Sequence, residues 1–174
     1  MSRARLIARI ALFAALIYVT SWSLAAIPDV KVSFFIMFTA GFVWGLVPGM
    51  LVGAVGTGLW SLFNPYGPAP MPLLIAQVFG SALCGTAGTL YRFSGWHGGS
   101  PAAVRVGLVL CGTVCTAAYY VPVNLVDAWI SQPFRERLIA SLPFTALALV
   151  SNAIIFPLLF GVTRLLYDRE NARP

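Results

Sequence analysis

Residues 32–63 read VSFFIMFTAGFVWGLVPGMLVGAVGTGLWSLF, with no charged side chain anywhere in the run. Gly41, Gly45, Gly49 and Gly53 recur every fourth position. Residues four apart share one face of a helix, and small residues at that spacing let helix backbones touch where lipid supplies no hydrophobic drive. Pro48-Gly49 interrupts the run, because proline lacks a backbone N–H and restricts the residue before it. The stretch therefore predicts two membrane helices joined by a tight turn, over residues 32–46 and 49–63. The first is short for a full crossing, so it is tilted, extended through 45–47, or partly interfacial.

Outward from that pair the same texture continues. Further apolar runs cover residues 8–26, 72–91, 104–121 and 142–166. Of the 174 residues 59% are hydrophobic and only 9% charged, against about 25% charged in a soluble domain. The prediction is an all-α integral membrane protein: a compact bundle of about six transmembrane helices forming one domain over residues 1–174. Gly and Pro number 16 and 12, which membrane helices tolerate.

The formal charge of +6 reads as a topology signal rather than a nucleic-acid surface. With the N-terminus in the cytoplasm, the inner segments hold Arg3, Arg5, Arg9, Arg92, Arg105, Arg164, Arg169 and Arg173. The outer ones hold Lys31, Arg135 and Arg137. That distribution obeys the positive-inside rule, and it puts both termini in the cytoplasm. Three loops then face outward, over residues 28–31, 64–71 and 122–141, and two face inward, over 45–49 and 92–103. A rival reading takes the first span as a secretory signal peptide, since three arginines precede an apolar run ending in Ser23-Leu24-Ala25.

Catalysis finds little support. The sequence has no HExxH, GxSxG or phosphate-binding loop and no paired carboxylates within a span. His97, the only histidine, falls in a glycine-rich inner loop and reads as solvated. The Ser and Thr residues of the spans read as interhelical hydrogen-bonding groups. Cys84, Cys111 and Cys115 lie in apolar segments as small hydrophobes, and no histidine accompanies them to build a metal site. No acidic residue falls mid-span, which argues against an ion relay, and no cofactor is implied.

The outer loops carry the polar chemistry. Residues 62–77, LFNPYGPAPMPLLIAQ, hold four prolines and no charge. Such a stiff loop loses little entropy on closing over a ligand; Asn64 and Tyr66 at its front offer hydrogen bonds and a ring face. The alternative is a plain turn with an interfacial tyrosine. Ala4/Ala8 and Ala11/Ala15 are small-residue pairs on the first span that can present a face to another protein.

Residues 27–90, IPDVKVSFFIMFTAGFVWGLVPGMLVGAVGTGLWSLFNPYGPAPMPLLIAQVFGSALCGTAGTL, resemble the substrate-binding (S) component of energy-coupling factor (ECF) vitamin transporters. The shared elements are Pro28-x-Val-Lys31, the glycine run, and Asn64-Pro-x-Gly67. The last two spans match no particular vitamin group. The resemblance implies a protein of the bacterial or archaeal cytoplasmic (inner) membrane that captures a vitamin-like ligand from outside. Its partners would be a transmembrane coupling subunit and two cytoplasmic ATPases, besides lipid, and no nucleic acid. It implies docking through Ala11 and Ala15, with Ala4 and Ala8 as a second pair, which requires the first span to be retained. It also implies a pocket from Asp29, Lys31, Asn64, Tyr66, Tyr120, Asn124, Asp127, Trp129 and Asn152. Thiamine, riboflavin, biotin, pantothenate, cobalamin and queuosine-like precursors all stay open as ligands. A structural or assembly role and a standalone facilitator are the alternatives.

Overall fold

The computed structural model describes residues 3–27 and 29–172. Six α-helices follow one another: α1 (Arg3–Ser23), α2 (Val32–Trp44), α3 (Leu46–Phe63), α4 (Met71–Phe93), α5 (Pro101–Ile130) and α6 (Phe134–Asn171), with a 3-10 turn at Trp96–Gly98. Five are long and apolar enough to cross a membrane, and α2 is the short exception. The expected all-helical membrane bundle is what the chain forms.

α2 occupies the middle. Every residue from Ser33 to Val43 is buried, as a helix apolar on all sides requires. The other five helices all touch it. Its 13 residues span about 20 Å at 1.5 Å per residue. Arg9 of α1 stacks 5.2 Å from the Trp44 ring at the end of α2 and pairs with Glu170 of α6. Arg92 of α4 donates to the Phe42 and Val43 carbonyls at 2.9 and 3.2 Å, capping carbonyls that the helix end leaves unpaired. The start of α1 and the ends of α2, α4 and α6 thus share one end of the bundle, hereafter the arginine end. The opposite end carries the proline-rich loop.

Glycine makes this packing possible. A Cβ on Gly41 would fall on the Gly85 carbonyl, one on Gly88 on the Phe38 carbonyl, and one on Gly53 on the Ser81 carbonyl. A Cβ on Gly49 would lie 2.6 Å from the Gly41 Cα. α2, α3 and α4 are therefore in backbone contact. Gly80, Cys84 and Gly88, spaced four apart on α4, are split between two neighbours. Gly80 and Cys84 face α5, against Tyr119 and Cys115, whereas Gly88 faces α2. Hydroxyls close the seam: Thr89 donates to the Gly41 carbonyl at 2.9 Å, and Thr57 bonds Ser81 at 2.7 Å.

Several boundaries differ from expectation. Only Gly45, at φ 95°, separates α2 from α3, because Pro48 sits in the first turn of α3, where the missing N–H costs nothing. The predicted outer loop 122–141 is helical except at its tip. α5 runs through Pro122 to Ile130, and α6 begins at Phe134 and continues through Pro143 and Pro157. Proline inside a membrane helix is accommodated by its neighbours, so it was a poor boundary marker here. His97 is not fully solvated; it is partly buried, 5.3 Å edge-on from Phe42, and its carbonyl accepts from Arg164.

Gly41→Ala or Gly85→Ala should lower the thermal midpoint of the detergent-purified protein, since overpacking costs about 1–3 kcal/mol. Gly161→Ala, where a Cβ meets nothing within 4 Å inside α6, should leave the midpoint unchanged or raise it slightly, since alanine is the better helix former. Equal effects at all three sites would refute the backbone-contact account.

Candidate functional site

At the proline end a cavity of about 270 Å³ opens between the last turn of α1, the α1–α2 loop, the start of α2, and α3. Its floor is the first turn of α2, with Ser33 and Phe34. Thr20 and Ser21 of α1 and Thr57 and Trp60 of α3 form the walls, with Tyr119 of α5 behind. The lining mixes rings (Phe34, Trp60, Tyr66, Tyr119) and hydroxyls with aliphatic side chains from α1 and the α1–α2 loop and with the charged Asp29 and Lys31, the mostly apolar surface with a few polar groups of a small-molecule site.

Two loops close over it. Tyr66 of the proline-rich loop donates its hydroxyl to the Ala25 carbonyl at 2.8 Å, strapping that loop to the α1–α2 loop. The α1–α2 loop is in turn fixed to α5. Asp29 stands at φ 55°, in the left-handed region that Asp and Asn tolerate better than other side-chain-bearing residues, and accepts a hydrogen bond from the Tyr120 hydroxyl. The Lys31 ammonium sits 4.5 Å from the Tyr119 ring centre, 5.0 Å from Tyr120 and 5.9 Å from Phe34, an aromatic cradle that holds a cation over its faces.

The structure thus brings Asp29, Lys31 and Tyr66 into the lining of one chamber, with Tyr120 outside the lining as the partner of Asp29. The other predicted residues lie elsewhere. Asn64 does not line the cavity: its Oδ1 accepts from Tyr66 N–H at 2.9 Å and its Nδ2 donates to the Gly67 carbonyl at 2.9 Å, shaping the loop rather than facing a ligand. Asn124 donates to Thr145 at 2.9 Å, and Asp127 pairs with Arg137 at 3.0 Å. Both bonds tie α5 to α6. Trp129 is two-thirds exposed on the last turns of α5. Asn152 is fully buried in α6, bonded to the Ala148 carbonyl at 2.9 Å, with its Oδ1 unpaired. Trp60, Thr57, Thr20 and Ser21 were not predicted as site residues. The hydroxyl-bearing ones looked like helix-packing groups, and nothing in a linear reading sets Trp60 over a cavity.

The four alanines lie together. Ala4, Ala8, Ala11 and Ala15 are all exposed on one face of α1, beside exposed Ile7 and Leu12, whereas Ala14 and Ile17 turn inward. Among the described residues no three His, Cys, Asp or Glu side chains come together to hold a metal.

A family model described as the ECF-type riboflavin transporter, S component, matches residues 1–165. The chain belongs to this family. No curated protein and no solved structure matched it. As an S component it is the substrate-binding subunit of an ECF importer and a multi-pass membrane protein. Membership in a family of transporter subunits, not an enzyme class, displaces the structural or assembly role as the reading of the fold.

If Asp29–Tyr120 anchors the loop of this S component, Tyr120→Phe should speed backbone hydrogen exchange several-fold over residues 24–31. Exchange within α2 should stay slow. Unaltered exchange in the loop would mean that other contacts hold it.

Proposed function

We propose that this S component captures riboflavin at the proline end, which faces the outside of a bacterial or archaeal cytoplasmic membrane. It then delivers the vitamin through a transmembrane coupling subunit driven by two cytoplasmic ATPases. The observation that carries the reading is the cavity beneath the Tyr66 strap, with its rings and hydroxyls, taken with the family's description. Riboflavin is a flat tricyclic ring with a hydrogen-bonding edge and a polyol tail. Trp60 supplies a face for the ring, with Phe34 and Tyr119 beside it, and Thr20, Ser21 and Thr57 supply partners for edge and tail. The orientation follows the positive-inside rule, with the arginine end in the cytoplasm.

At about 270 Å³ the chamber is slightly below the range of about 300–1,000 Å³ typical of sites for molecules of this size. Admission therefore parts the two loops at Tyr66–Ala25 and Asp29–Tyr120. Reclosure buries the ligand without covalent chemistry. The exposed alanine face of α1 meets the coupling subunit, since small side chains let two membrane helices approach closely.

Riboflavin added to the detergent-purified protein should quench tryptophan fluorescence saturably. Trp60→Ala should weaken binding about tenfold or more, because loss of one stacking partner costs about 1–3 kcal/mol and 1.4 kcal/mol is tenfold. Thiamine or biotin in excess should not compete. Absence of riboflavin binding, or binding indifferent to Trp60 and Thr57, would remove the cavity as the site.

Docking has its own test. Ala11→Trp with Ala15→Trp should abolish ATP-driven uptake in proteoliposomes containing the coupling subunit and ATPases, while riboflavin binding persists. Uptake by the chain alone without ATP would instead establish a facilitator.

A further inference from the structure

We propose that a groove between the start of α5 and the end of α6 binds an anionic phospholipid at the arginine end of the bundle. The groove measures about 310 Å³ and is separate from the cavity at the other end. Arg105 and Arg164 stand at its mouth, and Leu108, Pro157, Phe160 and Gly161 continue it inward. Because α5 enters the bundle from this end and α6 leaves through it, Leu108 lies deeper than Arg105, and Phe160, Gly161 and Pro157 lie deeper than Arg164, with Gly99, Pro101 and Val104 on the outer side of Arg105. That is the order of a phospholipid, with its phosphate at the membrane boundary and its acyl chain toward the middle.

The charge is available. The ion pairs Arg9–Glu170 and Arg137–Asp127 involve neither groove arginine. Asp168, one turn beyond Arg164, makes no ion pair with it. Arg164 is aimed by its bond to the His97 carbonyl and by the Phe160 ring, 5.5 Å away. Its remaining N–H groups can meet a phosphate, for which the guanidinium fork is well shaped. The trough beside it is open, since a Cβ on Gly161 would touch nothing within 4 Å. A soluble anion would use only the mouth, and an apolar protein helix would leave the arginines unpaired. A lipid uses both parts.

Native mass spectrometry of the detergent-purified chain, titrated with phosphatidylglycerol and with phosphatidylcholine of equal chain length, tests this. Phosphatidylglycerol should be retained about thirtyfold more, given two juxtamembrane arginines. R105Q with R164Q should reduce it to the phosphatidylcholine level, R105K with R164K should keep most of it, and Gly161→Leu should lower it with the charges intact. Equal retention of the two lipids overturns the proposal, as does a Gly161→Leu protein that retains phosphatidylglycerol normally. Displacement by millimolar inorganic phosphate would assign the mouth to a soluble anion instead. If the glutamine variant does not fold, Gly161→Leu against Gly161→Ala decides alone.

Discussion

Gly41, Gly49 and Gly85 bring the backbones of α2, α3 and α4 into direct contact, and the rest of the bundle is arranged around that junction. In lipid, apolar side chains gain little by leaving the membrane for one another, so close dispersion contact and hydrogen bonding must carry association. A three-helix backbone contact supplies the first. Thr89 on the Gly41 carbonyl and Thr57 on Ser81 supply the second. Any side chain larger than hydrogen at the junction would push α4 off α2. It would also displace α5, which packs on α4 through Gly80.

The two ends of α2 are finished differently, and the difference separates the two halves of the molecule. At the arginine end its last carbonyls are satisfied by Arg92, and Trp44 is covered by Arg9 and its partner Glu170. Phe42 there packs on Phe160 and Tyr167. Around α2 that end is closed by rings and cross-linked by charge. At the proline end no side chain caps the helix, and what lies above is hydroxyls, rings and two loops held by single tyrosine hydroxyl bonds. Such contacts can be exchanged for contacts to a ligand at small net cost, since a hydrogen bond is worth about 0.5–1.5 kcal/mol net.

Much of this was legible in the sequence because membrane helices announce themselves by composition. Of the glycines spaced at 41, 45, 49 and 53, three lie in the seam while Gly45 is the turn between α2 and α3, and the loop residues Asp29, Lys31 and Tyr66 stood out as polar groups beside apolar spans. What was not legible followed from proline. Pro122 looked like the border of a loop, yet it lies within a continuous helix, so Asn124, Asp127 and Trp129 moved from a loop onto helix turns. Asn64 resembled a ligand contact because its role in the turn depends on Tyr66 and Gly67 folding back on it. The hydroxyl wall of the cavity gave no signal, since Thr20, Ser21 and Thr57 resemble every other helix hydroxyl in the chain. The four alanines of α1 were readable by spacing alone, and their common exposure follows from the single inward face that Ala14 and Ile17 define.

The brevity of α2 has a further consequence. The five surrounding helices meet the bilayer and take their length from it, whereas α2 is enclosed by protein on all sides and is free of that requirement. A crossing of about 30 Å of hydrocarbon asks for roughly 20 residues, and α2 has 13. The missing turns are where the chamber lies, directly above Ser33 and Phe34. The chamber is a well sunk into the bundle by leaving its central post short. Its depth is set by where α2 begins, and its width by the helices standing around it. Depth and width can therefore vary independently, one by moving a helix start and the other by exchanging wall residues, while the glycine junction below stays as it is.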